Sequence, residues 1–389
     1  MVNIEQGFTD PTDIIKTSLQ LGKPVIIVHF AYRLNVFGYG MFQGRTNFGF
    51  HDQRRAIEWV QKHISGFGGD PENITLAGES AGGIAVHAHI HGPCPVRGIK
   101  RAVLQSGSLY LTPPAPAPVG HVIMKELELI CQTTDLQTLP LRDLLTGMGK
   151  LGFKNWWLNQ EDRIFSQGAE DAVWPITDTV GLESIVVGDC QWESRGFEAG
   201  IAALGLNRLE EIFSQYTPIG AAVAQLYNID FQSMESTKPR IGAFINDLKF
   251  AFASDALSLM ENKAGRRRCY RYIVDQPNPW NPSAGAHHAV DLLLLFGGYD
   301  YTNDEGAVQV SQDMRKRWIH FMYGDEPWGG NDVYAFGPAG KSGAIGKEEL
   351  ARRRRVQCFD GLRKIGWANC QALATRLMSA RGKVEEAYL

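Results

Sequence analysis

Five short apolar runs, separated by segments of helical character, set the strongest limit on how this chain can fold. They read PVIIVHFAY at Pro24–Tyr32, NITLAG at Asn73–Gly78, IKRAVLQ at Ile99–Gln105, IVVGD at Ile185–Asp189 and RCYRYIV at Arg268–Val274. Runs that are apolar at almost every position suit strands covered on both faces, as in parallel sheets. Between them, Asp52–Ile64 carries Ile57, Val60 and Ile64 at helical spacing, and Gly66, Gly68, Gly69 and Pro71 stop that helix. A second helix is expected over Ala81–His91, stopped by Gly92 and Pro93. Strands and helices alternating at this pace give an α/β fold, with helices on both faces of a mostly parallel sheet.

The remaining segments fit around that sheet. The stretch 109–182 opens on the proline cluster TPPAPAP and reads as a helical insertion. A helical stretch then leads to about Lys263, and Arg268–Val274 is expected to be the last sheet strand. From Asp325 a glycine-rich loop, Trp328–Gly346, precedes a charged C-terminal helix. The 389 residues thus read as one domain, with 109–182 inserted and 325–389 as a C-terminal loop and helix.

Composition excludes several classes. With 44% hydrophobic and 21% charged residues the chain can bury a sizeable core, and a net charge of -3 makes no case for nucleic acid. The basic runs Arg266–Arg268 and Arg352–Arg355 are expected on solvated faces or helix ends. None of the six cysteines sits in a CxxC pair, and six are too few for a disulfide scaffold. His87, His89 and His91 have no carboxylate or cysteine at ligand spacing, so packing or exposure is expected and no metal. No P-loop or dinucleotide fingerprint is present, so no cofactor is expected. The sequon Asn73-Ile74-Thr75 lies on an expected buried strand. No run reaches the ~18 apolar residues of a membrane span. Met1–Gln20 lacks the basic-then-apolar layout of a signal peptide, so secretion would require a leader upstream.

Gly78-Glu79-Ser80-Ala81-Gly82 matches G-x-S-x-G between an apolar strand and a helix. That context suits a nucleophilic serine. The tight turn holds the hydroxyl exposed on strained backbone, and the flanking glycines let strand and helix approach. The helix N-terminus faces the negative charge that develops during acyl transfer. Ser80 is therefore the candidate nucleophile, and the backbone N–H of Ala81 a candidate oxyanion donor.

Several segments resemble the type-B carboxylesterases and lipases, the family that includes the cholinesterases. They are Tyr32-Arg33-Leu34-Asn35-Val36-Phe37-Gly38, Asn47-Phe48-Gly49-Phe50-His51-Asp52-Gln53, Phe67-Gly68-Gly69-Asp70-Pro71-Glu72-Asn73, the elbow itself, and Gln105-Ser106-Gly107-Ser108. The match is dense over 23–108 and thinner to about Trp328. The resemblance implies an α/β-hydrolase fold and hydrolysis of small-molecule or lipid esters.

A serine hydroxyl needs a base, and the base an orienting carboxylate. In this fold the chain order is serine, acid, histidine. Of ten histidines, only His287, His288 and His320 lie late enough. Gly285-Ala286-His287-His288-Ala289-Val290-Asp291 resembles the family's G-x-x-H-x-x-D/E segment, which selects His288. His287 is the one-residue-slip alternative. The family's acid sits on the turn after the strand at Ile185–Asp189, which selects Glu193, with Asp189 as competitor. Asp304-Glu305-Gly306 comes after His288 and reads as a surface turn. The expected chemistry is attack by Ser80, proton transfer through His288, orientation by Glu193, and hydrolysis of an acyl-enzyme.

Two family features are not found upstream of Ser80: the H-G-G-G-type loop that completes the oxyanion hole, and the N-terminal acidic-cysteine motif. The strand preceding that loop would lie between Pro24–Tyr32 and Asn73–Gly78, so the sheet is expected to be incomplete there. A fragment or incomplete gene model of a longer enzyme is the favoured reading, and a degenerate copy the other. Slow turnover is expected, because losing one oxyanion donor costs about 10²–10³ in kcat. A non-catalytic binding or adhesion protein on the same fold is the rival class, and a peptidase a weaker third.

Overall fold

The computed structural model describes residues 9–92, 94–151, 156–161, 164–165, 176, 181–329 and 332–378. One six-stranded sheet forms its centre: β1 (Ile74–Glu79), β2 (Ile99–Gln105), β3 (Ser184–Cys190), β4 (Arg268–Val274), β5 (Val333–Phe336) and β6 (Ser342–Ile345). The strands lie side by side in chain order. The first five are parallel, and β6 returns antiparallel against β5.

Side-chain alternation explains why the central strands read as continuous apolar runs. Leu104, Ile185, Val187 and Cys269 face one layer, where they meet Ile57, Val86, Ile90 and Leu257. Their neighbours Val103, Val186, Tyr270 and Tyr272 face the other, against Ile14, Val290, Leu294, Met314 and Trp318. Both faces of β3 are buried at every residue. The expected helices occupy Phe48–His63 and Ala81–Ile90. The inserted region contributes helices Ala117–Cys131 and Leu141–Lys150, packed over Val36, Phe50 and Leu109. The rest of the expected insertion falls largely outside the described residues.

Three expectations need correction. Pro24–Tyr32 is not a strand: it runs without ladder pairing, with Val25 and Ile27 half-buried against the core and Ile26 and Val28 at 46% and 39% exposure. Its alternation suits a strand, but a strand exists only with a neighbour to bond, and β1 pairs with β2 alone among the described residues. The incomplete edge expected of the sheet is thus β1 itself, whose residues are half-buried or exposed throughout.

The second correction concerns the sheet's other end. Arg268–Val274 is not its last strand. Inside the stretch read as a glycine-rich loop, Val333–Phe336 and Ser342–Ile345 form a hairpin that extends it, and three helices follow (Lys347–Arg353, Val356–Ile365, Trp367–Met378). Third, the basic runs are only partly on solvated faces or helix ends. Arg266 and Arg268 are exposed and Arg352 and Arg353 end the helix Lys347–Arg353, but the other arginines are engaged inside. Arg354 is 3% exposed and sits 2.5 Å from Asp189 and 2.8 Å from Asp275, while Arg355 pairs with Asp247 at 2.7 Å. Arg267 is buried too, beside Glu261.

Candidate active site

Ser80 stands between β1 and the helix Ala81–Ile90 with φ 53° and ψ -116°. A side chain other than glycine at positive φ is strained by about 1–3 kcal/mol and persists only where its surroundings enforce it. Here they do. The Ser80 N–H is bonded to the Gln105 carbonyl of β2 at 2.8 Å. A Cβ on Gly78 would fall 2.3 Å from the backbone of Gly82, and one on Gly107 2.1 Å from the Ser80 carbonyl oxygen. Both positions must be glycine for the turn to close. Ala81 opens the helix, so its N–H belongs to the first turn, whose donors have no partner within the helix.

The acid and the histidine come from two loops that are joined by their backbones. Trp192 donates its N–H to Ala286 O at 2.9 Å, and Trp192 forms an isolated parallel bridge with His287. The next residues along, Glu193 and His288, therefore meet. Glu193 Oε2 lies 2.5 Å from His288 Nδ1, and Glu193 Oε1 accepts the Cys190 N–H at 2.6 Å. Glu193 is 1% exposed. The Phe250 ring, on a single π-helical turn at Asp247–Ala251, meets the imidazole edge-on at 5.5 Å.

The far side of the imidazole is occupied by a residue to which sequence reasoning gave no role. Glu79 Oε1 lies 3.2 Å from His288 Nε2. Among the described residues no hydrogen bond joins the Ser80 hydroxyl to His288. A third carboxyl, Asp291, is fully buried and accepts from Gln105 Nε2 at 3.0 Å and Tyr272 OH at 2.9 Å. The signals were faint: a glutamate one place before the serine, and an aspartate three after the histidine.

Burial and neighbouring charge shift the imidazole, Glu79 and Asp291. Burial lowers the pKa of His288, but the charge and hydrogen bond of Glu193, then Glu79 and Asp291, override it and leave it at about 9. Burial raises Glu79 to about 8 against the attraction of His288, with Asp291 and Glu193 adding to the rise. Burial likewise raises Asp291.

The competing residues are engaged elsewhere. His287 Nδ1 is 2.8 Å from its neighbour's carbonyl, and its Nε2 is 2.8 Å from Asn278 Nδ2. Asp189 pairs with Arg354. Asp304 caps the helix Glu305–Met322 by accepting the Ala307 N–H at 2.8 Å. His320 pairs with Asp325 at 2.9 Å. Of the histidine triplet, His89 is buried against Gln53, and His87 Nδ1 accepts the Leu109 N–H. Asn73 accepts from Arg101.

The chain is similar to known carboxylesterases and lipases. The carboxylesterase family model covers residues 5–136. Lipase 3 of Yarrowia lipolytica is 29% identical over 381 residues, 95% of this chain and 74% of that lipase. The chain is similar to the type-B carboxylesterases and lipases, with the family match on residues 5–136. Members of this family hydrolyse carboxylic esters. Over 104 residues, 18% of its length, the inactive carboxylesterase-like protein VdtD of Byssochlamys spectabilis is 43% identical. A carboxylesterase structure from Geobacillus stearothermophilus superposes with a TM-score of 0.70 at 21% identity, over 91% of this chain and 80% of that one. The fold is that of the α/β-hydrolases, as expected.

Proposed function

We propose that this chain hydrolyses carboxylic esters through Ser80, His288 and Glu193, by way of an acyl-enzyme. The observation that carries the reading is the Glu193–His288 bond, made across 95 residues of sequence next to a serine in strained geometry. His288 takes the Ser80 proton as the hydroxyl attacks the ester carbonyl. Glu193 fixes the tautomer and steadies the imidazolium. The Ala81 N–H receives the developing oxyanion, the alcohol leaves, and water activated by His288 releases the acid. The substrate is a small-molecule or lipid ester.

Hydrolysis of p-nitrophenyl butyrate by the unaltered chain and by Ser80→Ala tests this, together with labelling by a fluorophosphonate. The reading expects hydrolysis and labelling that both vanish in the variant. Equal rates with and without Ser80 would overturn it. A non-catalytic binding protein is the second reading, favoured by the unmade Ser80–His288 bond; it expects no labelling of Ser80 at any pH.

A further inference from the structure

The catalytic reading leaves Glu79 without a task, yet no carboxyl is closer to the ring nitrogen that must receive the Ser80 proton. Its Oε1 is buried, 3.2 Å from His288 Nε2, and makes no aligned hydrogen bond. An ionised, poorly satisfied carboxylate in such a place attracts an imidazolium strongly, because water is not there to screen it. The opposite nitrogen, Nδ1, is already fixed by Glu193 at 2.5 Å. The imidazole is thus held at both nitrogens by acids, with the serine as bystander.

From this geometry we infer that Glu79 is a positioning residue that restrains the nucleophile: it holds Nε2 of His288 on its own carboxylate in the resting chain, so that Ser80 is activated only once that contact is released. The inference rests on the Ser80–His288–Glu193 reading and adds to it a residue acting through His288.

Charge balance gives the release its direction. The groups facing His288 are Glu193, Glu79 and Asp291, with the Phe250 ring on its edge; those facing Glu79 are His288, Asp291 and Glu193. Asp291 is committed to Gln105 and Tyr272, and Glu193 to the Cys190 N–H. Glu79 alone lacks a second partner, so it alone can let go without orphaning another group. Neutralising Glu79 removes one of the charges that favour the imidazolium. More His288 is then free base above about pH 8, where Glu79 would otherwise be ionised, and its Nε2 can turn to Ser80.

The test uses Glu79→Gln and Glu79→Asp in the full chain. Gln keeps the shape without the charge, whereas Asp keeps the charge but shortens the reach. Second-order rates of Ser80 labelling by a fluorophosphonate are measured from pH 6 to 10, alongside kcat and KM for p-nitrophenyl butyrate. The inference expects Glu79→Gln to move the alkaline rise of labelling down by about one pH unit, with the roughly tenfold gain appearing above pH 8 where Glu79 is ionised, and Glu79→Asp to move it in the same direction by less, with kcat rather than KM changing. A profile unmoved in both variants, or labelling reduced by the same factor at every pH, overturns it and leaves the triad reading intact. No labelling of Ser80 in any variant overturns both. Should the variants fail to fold, a histidine-ring NMR titration of the unaltered chain decides. The His288 ring must titrate well above 6.5 in two coupled steps; a single step near 6.5 overturns the inference.

Discussion

Trp192 and Ala286 are 94 residues apart, yet the N–H of the first donates to the carbonyl of the second at 2.9 Å. That one backbone bond fixes the register between the turn after β3 and the loop after β4. It determines that Glu193 faces His288 and not His287.

The register carries a prediction about the two adjacent histidines. His288→Ala is expected to lower kcat by about 10³-fold or more. His287→Ala is expected to keep kcat within about tenfold while lowering the melting temperature, because His287 bridges Asn278 and the His288 carbonyl. Parallel ester assays and thermal melts check this. An equal loss of kcat in both variants would count against the assignment.

Glu193→Gln keeps the size of the side chain but removes the charge that selects the His288 tautomer. The expected outcome is a fall in kcat of about 10³–10⁴ with KM little changed. Steady-state kinetics at pH 8 would show it, and a variant that retained a tenth of the activity would contradict the role.

Stability also depends on these groups. The folded pKa of His288, about 9, exceeds the unfolded value of 6.5. Its contribution is therefore fully present below about pH 6.5 and lost as pH rises through 9. The raised pKa of Glu79, about 8 against 4.5, acts in the same direction over a lower window. Urea unfolding from pH 5 to 10 should show stability declining towards alkaline pH, and the decline should be shallower in His288→Gln.

Arg354 joins Asp189 at the end of β3 to Asp275 beyond β4, and all three are buried. Removing the cation leaves Asp189 without its counter-ion and Asp275 with only Arg353, at 3.2 Å. Arg354→Met is expected to destabilise by about 3–5 kcal/mol, the cost of breaking a buried pair on one side. Chemical denaturation measures it, and a loss below about 1 kcal/mol would be inconsistent with the pairing.

Gly107→Ala puts a methyl group where the Ser80 carbonyl oxygen already sits, 2.1 Å from the ideal Cβ. The turn must shift, and a misplacement of about 1 Å at a nucleophile costs on the order of 10² in rate. Labelling of Ser80 should slow by that factor while β2 and β3 keep their pairing.

Much of this was legible in the amino-acid order, for reasons that differ by residue. β2 and β4 were readable to the residue, and β3 nearly so, because strands covered on both faces need apolar side chains at almost every place; β1 was legible from its apolar run beside the elbow although its residues are half-buried or exposed. β5 was not, because four residues among glycines carry no periodicity and gain their pairing from β4. Pro24–Tyr32 had the residues of a strand without a neighbour to bond. Arg354 looked solvated because Asp189, 165 residues away, cannot be seen from a local charge count. The order serine, acid, histidine left His287, His288 and His320 open, and Glu193 and His288 were selected only by their resemblance to the family's segments. Glu79 did not, because only the folded backbone shows that its side chain turns towards the imidazole and not away.

The edge position of β1 has a dynamic consequence. Among the described residues its amides pair only with β2, whereas β3 is clasped from both sides. Isotope exchange at backbone amides should therefore run in a gradient across the molecule, slowest through β3 and β4 and fastest in β1. The strand that ends at Ser80 would then be the first part of the sheet to open, and the strained turn it supports would lose its geometry well before the rest of the chain unfolds.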